Sequence, residues 1–210
     1  MRFELSAAPQ GSEAWRAARA GRATGSRAAD IMAKIKTGEA ATRRDYRVEL
    51  VTERLCGVPV DDRFVNDAMR WGTETEPFAR MAYENMSGLM VREAGFAYLP
   101  DIQAGCSVDG FIEGGGLLEC KCPKTATHIK YLQADRVPPE YVPQVTHNLW
   151  VTGEPFADFV SFDPRLPANL QLLYVRVPRD ATVLAIYEES LLAFLEEVDA
   201  LEKQLRSRGA

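Results

Sequence analysis

The run Glu113-Gly114-Gly115-Gly116 constrains this chain more than any other feature. Consecutive glycines accept the positive φ angles of a tight reversal. The segments on either side, Ala104–Ile112 and Leu117–Cys122, are short and apolar, so they should fold back on each other as a β-hairpin. Side chains alternate along a strand, which puts Glu119 and Lys121 on one face and Cys120 on the other. Asp109, near the facing position on the partner strand, falls within cross-strand or diagonal reach of both. Two carboxylates and one ammonium are expected to converge there.

Helical signals dominate the first 90 residues. Ser12 suits the N-cap of a helix through Ala20, and Ser26 that of another through Met32, with Gly21–Gly25 as the turn between them. A third helix is expected from about Arg43 to Leu55, stopped by Gly57 and Pro59. A fourth passes through Met69 and Trp71 to an interruption at Gly72, after which Thr75 should cap a helix with Pro77 in its first turn. Short apolar segments then read as strands: Leu89–Glu93, Phe96–Leu99 and the two arms of the hairpin. A helix from about Pro139 to Val151, strands Ala157–Phe162 and Leu172–Val177, and an amphipathic helix from about Ala185 to Leu205 complete an α/β pattern with a central mixed sheet flanked by helices.

The chain of 210 residues, 46% hydrophobic, suffices for one substantial core, and the whole of 1–210 is read as a single domain. No apolar run reaches the roughly 18 residues of a membrane span, and Met1–Gln10 lacks a leader pattern, so a soluble, unexported protein is expected. The four cysteines (Cys56, Cys106, Cys120, Cys122) make no disulfide framework; they read as small buried strand residues and fit a reducing cytoplasm. The net charge of −5 disfavours a nucleic-acid partner at first sight, but basic residues crowd the first quarter (among them Arg19, Arg27, Arg43 and Arg47) and acidic ones the C-terminal stretch. An anion should meet the N-terminal region.

The carboxylate–lysine cluster suits phosphodiester hydrolysis. Hard Mg²⁺ binds carboxylate oxygens and polarises a phosphate, while the lysine adds positive charge beside the attacking water and the developing oxyanion. A surface ion-pair ladder is the other reading of Asp-x9-Glu-x-Lys. Histidine-based zinc chemistry is disfavoured by a count of only two histidines, His128 and His147, which read as structural or surface groups. No GxxxxGK[ST] phosphate loop is present.

Several segments, in order, resemble the PD-(D/E)XK nucleases, and within them the lambda-phage exonuclease and YqaJ-like viral recombinase group. They are Trp15–Gly21 followed by Thr24-Gly25-Ser26, Trp71-Gly72 followed by Glu76, Cys106–Gly110, Leu118–Pro123, Gln144-Val145 followed by Leu149–Thr152, and Phe162–Arg165. The resemblance implies a restriction-endonuclease-like fold and an Mg²⁺-dependent 5′-to-3′ exonuclease, Mn²⁺ substituting, that leaves 3′ overhangs on linear duplex DNA for phage-type recombination. It implies metal ligation by Asp109, Glu119, Glu76 and the Cys120 carbonyl, with Lys121 positioning or activating the water and Gln144 orienting it. Arg19 and Ser26 match the positions that grip the 5′-phosphate of a DNA end. The physical reading agrees: Ser26 would open a helix whose free N–H groups attract an anion, and the helix dipole would favour an ionised Glu76. Met69 matches an apolar wedge, although a core methionine is the plainer reading. The sequence departs from the family at Gln144-Val145-Thr146, where a second glutamine is common.

A homotrimer, a single-strand annealing partner and a phage or prophage gene expressed in a bacterial cytoplasm are implied by the same resemblance. An endonuclease on this fold and a non-catalytic DNA-end-binding protein are the competing functions.

Overall fold

The computed structural model describes residues 3–60 and 67–209; Met1, Arg2 and Ala210 of the expectations above lie outside these. The chain opens with strand β1 (Glu4–Leu5), helix α1 (Glu13–Arg19) and strand β2 (Ala23–Thr24). A 3₁₀ turn, Gly25–Arg27, runs into the short helix α2 (Ala28–Ile31), followed by α3 (Ala41–Cys56) and α4 (Asp67–Ser87). Five strands come next: β3 (Val91–Arg92), β4 (Phe96–Tyr98), β5 (Ala104–Ser107), β6 (Gly110–Ile112) and β7 (Leu117–Lys121). Helices α5 (Thr125–Ala134) and α6 (Val142–Thr152), strands β8 (Phe156–Phe162) and β9 (Leu172–Pro178), and helix α7 (Ala181–Arg206) finish the chain. No helix among the described residues is long and apolar enough to cross a membrane.

The fold is α/β and mixed, as expected, but it holds two sheets rather than one, ordered β1-β4-β5-β2 and β3-β6-β7-β8-β9. The segment Ala104–Ile112, expected as one strand, is divided between them by a break at Val108-Asp109. The hairpin itself forms, Gly110 facing Leu118 and Phe111 facing Leu117, with Gly114, Gly115 and Gly116 all at positive φ. Strand β7 lies parallel to β8 and is covered on both sides. Leu117 joins the cluster built with α3, α6 and α7, whereas Leu118 and Cys120 join Ala79 and Tyr83 of α4.

Helix α4 corrects two expectations. It runs unbroken through Gly72 and carries Pro77 in its interior, so Thr75 caps nothing. An interior proline removes one helical hydrogen bond. Here Thr75, Ala79 and Tyr83, one turn apart, bury a stripe against the second sheet, and packing overrides local propensity. Ser26 likewise opens no helix of useful length; it lies within the 3₁₀ turn before a four-residue helix. Helix α5 carried no terminal signal that sequence could show: its N-cap is Lys124, without a side-chain bond, and its C-cap is Asp135 at φ 46. Helix α7 starts earlier than expected because Asp180 caps it, accepting from the N–H groups of Thr182 and Val183. Cys56 is exposed at the end of α3 and Cys122 half-buried beyond β7, so only Cys106 and Cys120 are buried strand thiols.

The charge asymmetry has a structural use. Arg43 and Arg47 of α3 both reach Glu197 of α7 at 2.6 Å, and Arg54 reaches Asp199 at 2.6 Å. Arg27 is paired with Asp30 and Glu49. Much of the basic first quarter therefore clasps the acidic last helix instead of facing an external anion.

A second tie holds α4 to the sheet. Asp158 on β8, fully buried, accepts from Tyr83 Oη at 2.6 Å and from Arg176 Nε and Nη2 at 2.8 Å each. Replacing it by alanine leaves a buried hydroxyl and a half-buried guanidinium without their acceptor. Asp158→Ala is expected to destabilise the fold by about 3 kcal/mol, read as a lower urea midpoint at unchanged slope. An unchanged midpoint would show that this tie does not hold α4.

Candidate active site

Glu119 is the centre of the site, and it is 3% exposed. Lys121 Nζ donates to its Oε1 at 2.6 Å, Gln144 Nε2 to the same oxygen at 2.5 Å, and Asn148 Nδ2 to Oε2 at 2.9 Å. Gln144 and Asn148 stand one turn apart on α6 and reach β7 from one helix face. Asp109 closes the sheet break: its Oδ2 accepts from the Cys120 N–H at 2.6 Å, while its carbonyl accepts from Arg80 Nη1 at 3.3 Å. Met69, Gly72, Thr73 and Glu76 line the opposite wall, the i, i+3, i+4, i+7 stripe of an uninterrupted α4. The cavity between them measures about 520 Å³.

Every residue to which the sequence assigned a role lines this cavity: Asp109, Glu119, Lys121, Gln144, Glu76, Cys120, Arg19 and Ser26. Met69, half-exposed at the rim, is not a core methionine. The reason given for Glu76 is corrected. It lies beyond the first turn of α4, where the helix dipole no longer acts. Burial, and next the charge of Asp109, push its carboxyl up to about 7. Glu119 is also pushed up to about 7, by burial first, with Lys121 opposing and Asp109 and Glu76 adding to the rise. Burial raises Asp109 as well, against Lys121 and the Cys120 N–H. For Lys121 burial acts downward, but Glu119 and Asp109 outweigh it and hold the ammonium well above its ordinary value. Lys121 is thus held as a cation and hydrogen-bond donor beside Glu119.

The same cavity is lined by a cation. Arg19, half-buried, stacks over the Trp15 ring at 4.3 Å, and burial lowers its pKa against the smaller pull of Tyr46, Glu53 and Glu49. Ser26 is exposed to the same space. Trp15 Nε1 and Ser107 Oγ, on two further lining residues, are buried without hydrogen-bond partners. Orphans of this kind are satisfied by a ligand or ordered water. Ser107 lay inside a quoted motif with no role attached, and Asn148 and Arg80 went unread. Asn148 was legible as the i+4 neighbour of Gln144. Arg80, the i+4 neighbour of Glu76 in the helix expected after Thr75, was legible in the same way.

The donor set fits a hard divalent cation. Glu76, Asp109, Glu119 and the Cys120 carbonyl offer oxygen only, and three mutually repelling carboxylates gain from a shared positive charge. The nearby Cys122 thiol is pushed up to about 12 by burial. As they stand, no three His, Cys, Asp or Glu side chains among the described residues are grouped to hold one ion. Glu119 is turned to Lys121, Gln144 and Asn148 and would have to release some of these bonds.

Residues 14–155 match the family model described as YqaJ-like viral recombinase domain. Two crystal structures of the alkaline exonuclease LHK-Exo from Laribacter hongkongensis, one in complex with dAMP, share 40% sequence identity with this chain at a TM-score of 0.86, covering 94% of this chain and 98% of theirs. A phage-related exonuclease from Haemophilus somnus 129PT shares the fold at 16% identity, TM-score 0.68, over 88% of this chain and 96% of its own. No curated protein matches the sequence.

The raised carboxyls have a measurable consequence. A Glu76 pKa of about 7 in the folded chain, against an ordinary 4.5, means that the native state binds more protons than the unfolded one between those values. Ionised Glu76 therefore costs stability as pH rises through about 7. Glu76→Gln should raise the thermal midpoint at pH 8 in EDTA, and the gain should fade as pH falls towards 4.5. Calorimetry across that range checks it, and a lower midpoint at pH 8 would contradict the assignment.

Proposed function

This chain belongs to the YqaJ-like viral recombinase family, and on that footing we propose that it is a divalent-cation-dependent exonuclease. It would degrade one strand of linear duplex DNA from the 5′ end and leave 3′ overhangs for phage-type recombination. One observation carries the reading: a single cavity is lined both by the carboxylate–lysine cluster and by Arg19, Ser26 and two residues with orphaned polar groups, Trp15 and Ser107. A chemical centre and an anion grip in one enclosed space suit a substrate with a terminal phosphate next to the bond to be cut. The LHK-Exo structure with dAMP, a deoxynucleoside monophosphate, agrees with that substrate class.

In this reading Arg19 binds the 5′-phosphate in bidentate fashion over the Trp15 ring, with Ser26 completing the grip. Asp109, Glu119, Glu76 and the Cys120 carbonyl would hold Mg²⁺, or Mn²⁺ in its place, which supplies Lewis-acid polarisation of the scissile phosphate. Lys121, held charged by Glu119 and Asp109, orients the attacking water and stabilises the developing oxyanion, and Gln144 fixes Glu119 beside it. Met69, half-exposed on the cavity wall, would act as the apolar wedge at the duplex end. A homotrimer, a single-strand annealing partner and action within a bacterial host belong to the same proposal, with the family as their support.

Linear duplexes bearing 5′-phosphate or 5′-hydroxyl ends, incubated with Mg²⁺ or EDTA, test this. Mononucleotide release is expected to require Mg²⁺ and to favour phosphorylated ends. Lys121→Ala should lose at least about a hundredfold in rate while still binding ends. Cleavage of covalently closed circles, or equal Mg²⁺-dependent digestion by wild type and Lys121→Ala, would refute the reading.

A further inference from the structure

Asn148 holds a position that its bond to Glu119 does not by itself explain. It is 2% exposed, its Nδ2 donates to Glu119 Oε2, and its Oδ1 is buried with no donor. The NH₂ faces Glu119 and the oxygen faces away from it. What it faces is Gly25, where a Cβ would fall 2.3 Å from Oδ1. The 3₁₀ turn Gly25–Arg27 includes Ser26, and Thr24, Gly25 and Ser26 line the cavity together with Arg19. Asn148 thus touches the turn of the anion grip with one end of a planar amide and the buried carboxylate with the other.

The backbone beneath it is fixed. His147 Nε2 donates to the Gly105 carbonyl at 2.9 Å, which leaves Nδ1 to accept from Tyr187 Oη at 2.6 Å, and Thr152 Oγ1 donates to the Asn148 carbonyl at 2.7 Å. A displacement of the turn therefore falls on the side chain, and a rigid amide passes it on to Glu119. We propose that Asn148 is a positioning residue that relays occupancy of the Thr24–Ser26 turn to Glu119, so that hydrolysis is fastest when a phosphorylated 5′ end is seated. The inference rests on the exonuclease reading. A buried acceptor without a donor is uncommon enough to require an explanation, and a partner gained when the turn closes on a ligand supplies one.

The test measures kcat and KM separately on linear duplexes with 5′-phosphate and 5′-hydroxyl ends, for wild type and Asn148→Ala. Wild type should favour the phosphorylated end in kcat. In Asn148→Ala, kcat on that end should fall about tenfold, the loss of one hydrogen bond to a charged group, with KM little changed. The phosphate-to-hydroxyl ratio should approach one. If both substrates slow by the same factor, Asn148 merely holds Glu119 and the relay is wrong; an unchanged ratio overturns it equally. Should Asn148→Ala fail to fold, Gly25→Ala, whose Cβ would displace the same oxygen, is judged by the same ratio. Equal wild-type rates on the two ends would remove the phosphate grip, and the relay with it. Discrimination in wild type that survives in the variant removes the relay alone.

Discussion

Where the first sheet ends at Ser107 and the second begins at Gly110, the chain must be held at a joint that no ladder hydrogen bond spans, and the Asp109 carboxylate does this by accepting from the Cys120 N–H at 2.6 Å. The bond is charge-assisted and fixes three things together. It seats Asp109, sets the register of β7 at the residue between Glu119 and Lys121, and turns the second sheet away from the first. The desolvation of Asp109 that this entails is opposed by two cations, Lys121 on the strand and Arg80 on α4. Structure and site therefore share one set of charges. The residues that would act on a substrate are the ones that keep the joint closed.

The same economy explains how a chain of net charge −5 can present an arginine, Arg19, to its cavity. Arg43, Arg47 and Arg54 are neutralised against α7, and Arg27 against Asp30 and Glu49. Arg19, by contrast, is held by an aromatic ring rather than a carboxylate. A guanidinium stacked in this way keeps its hydrogen-bond donors available and is shielded from competing water. Net charge says little about such a protein, because local pairing determines where positive potential remains.

The parts of the molecule written in short-range pattern were legible. The triple glycine fixed the hairpin, period-two alternation put Glu119 and Lys121 on one face, and Gly57 and Gly153 end their helices at positive φ as their type demands. The parts decided by packing were not. Pro77 looked like a first-turn residue until Thr75, Ala79 and Tyr83 were seen to bury a common stripe, and the error carried over to the helix-dipole argument for Glu76. The break at Val108-Asp109 coincides with Asp109-Gly110, a turn-favouring pair that the apolar residues on either side outweighed in the reading of one strand. Gln144 was found by resemblance, whereas Asn148 could have been found by geometry alone, one turn further along a helix that was correctly placed.

The unbroken course of α4 converts sequence separation into distance. Glu76, beside Asp109, follows Met69 at the rim by seven positions, which in a continuous helix is a rigid span of roughly 10 Å, about three nucleotide steps along a strand. Two helices joined at Gly72 would have let mouth and centre drift independently. A single rod makes them a gauge of fixed length, so the distance from Met69 to the carboxylates is set by the backbone of one helix.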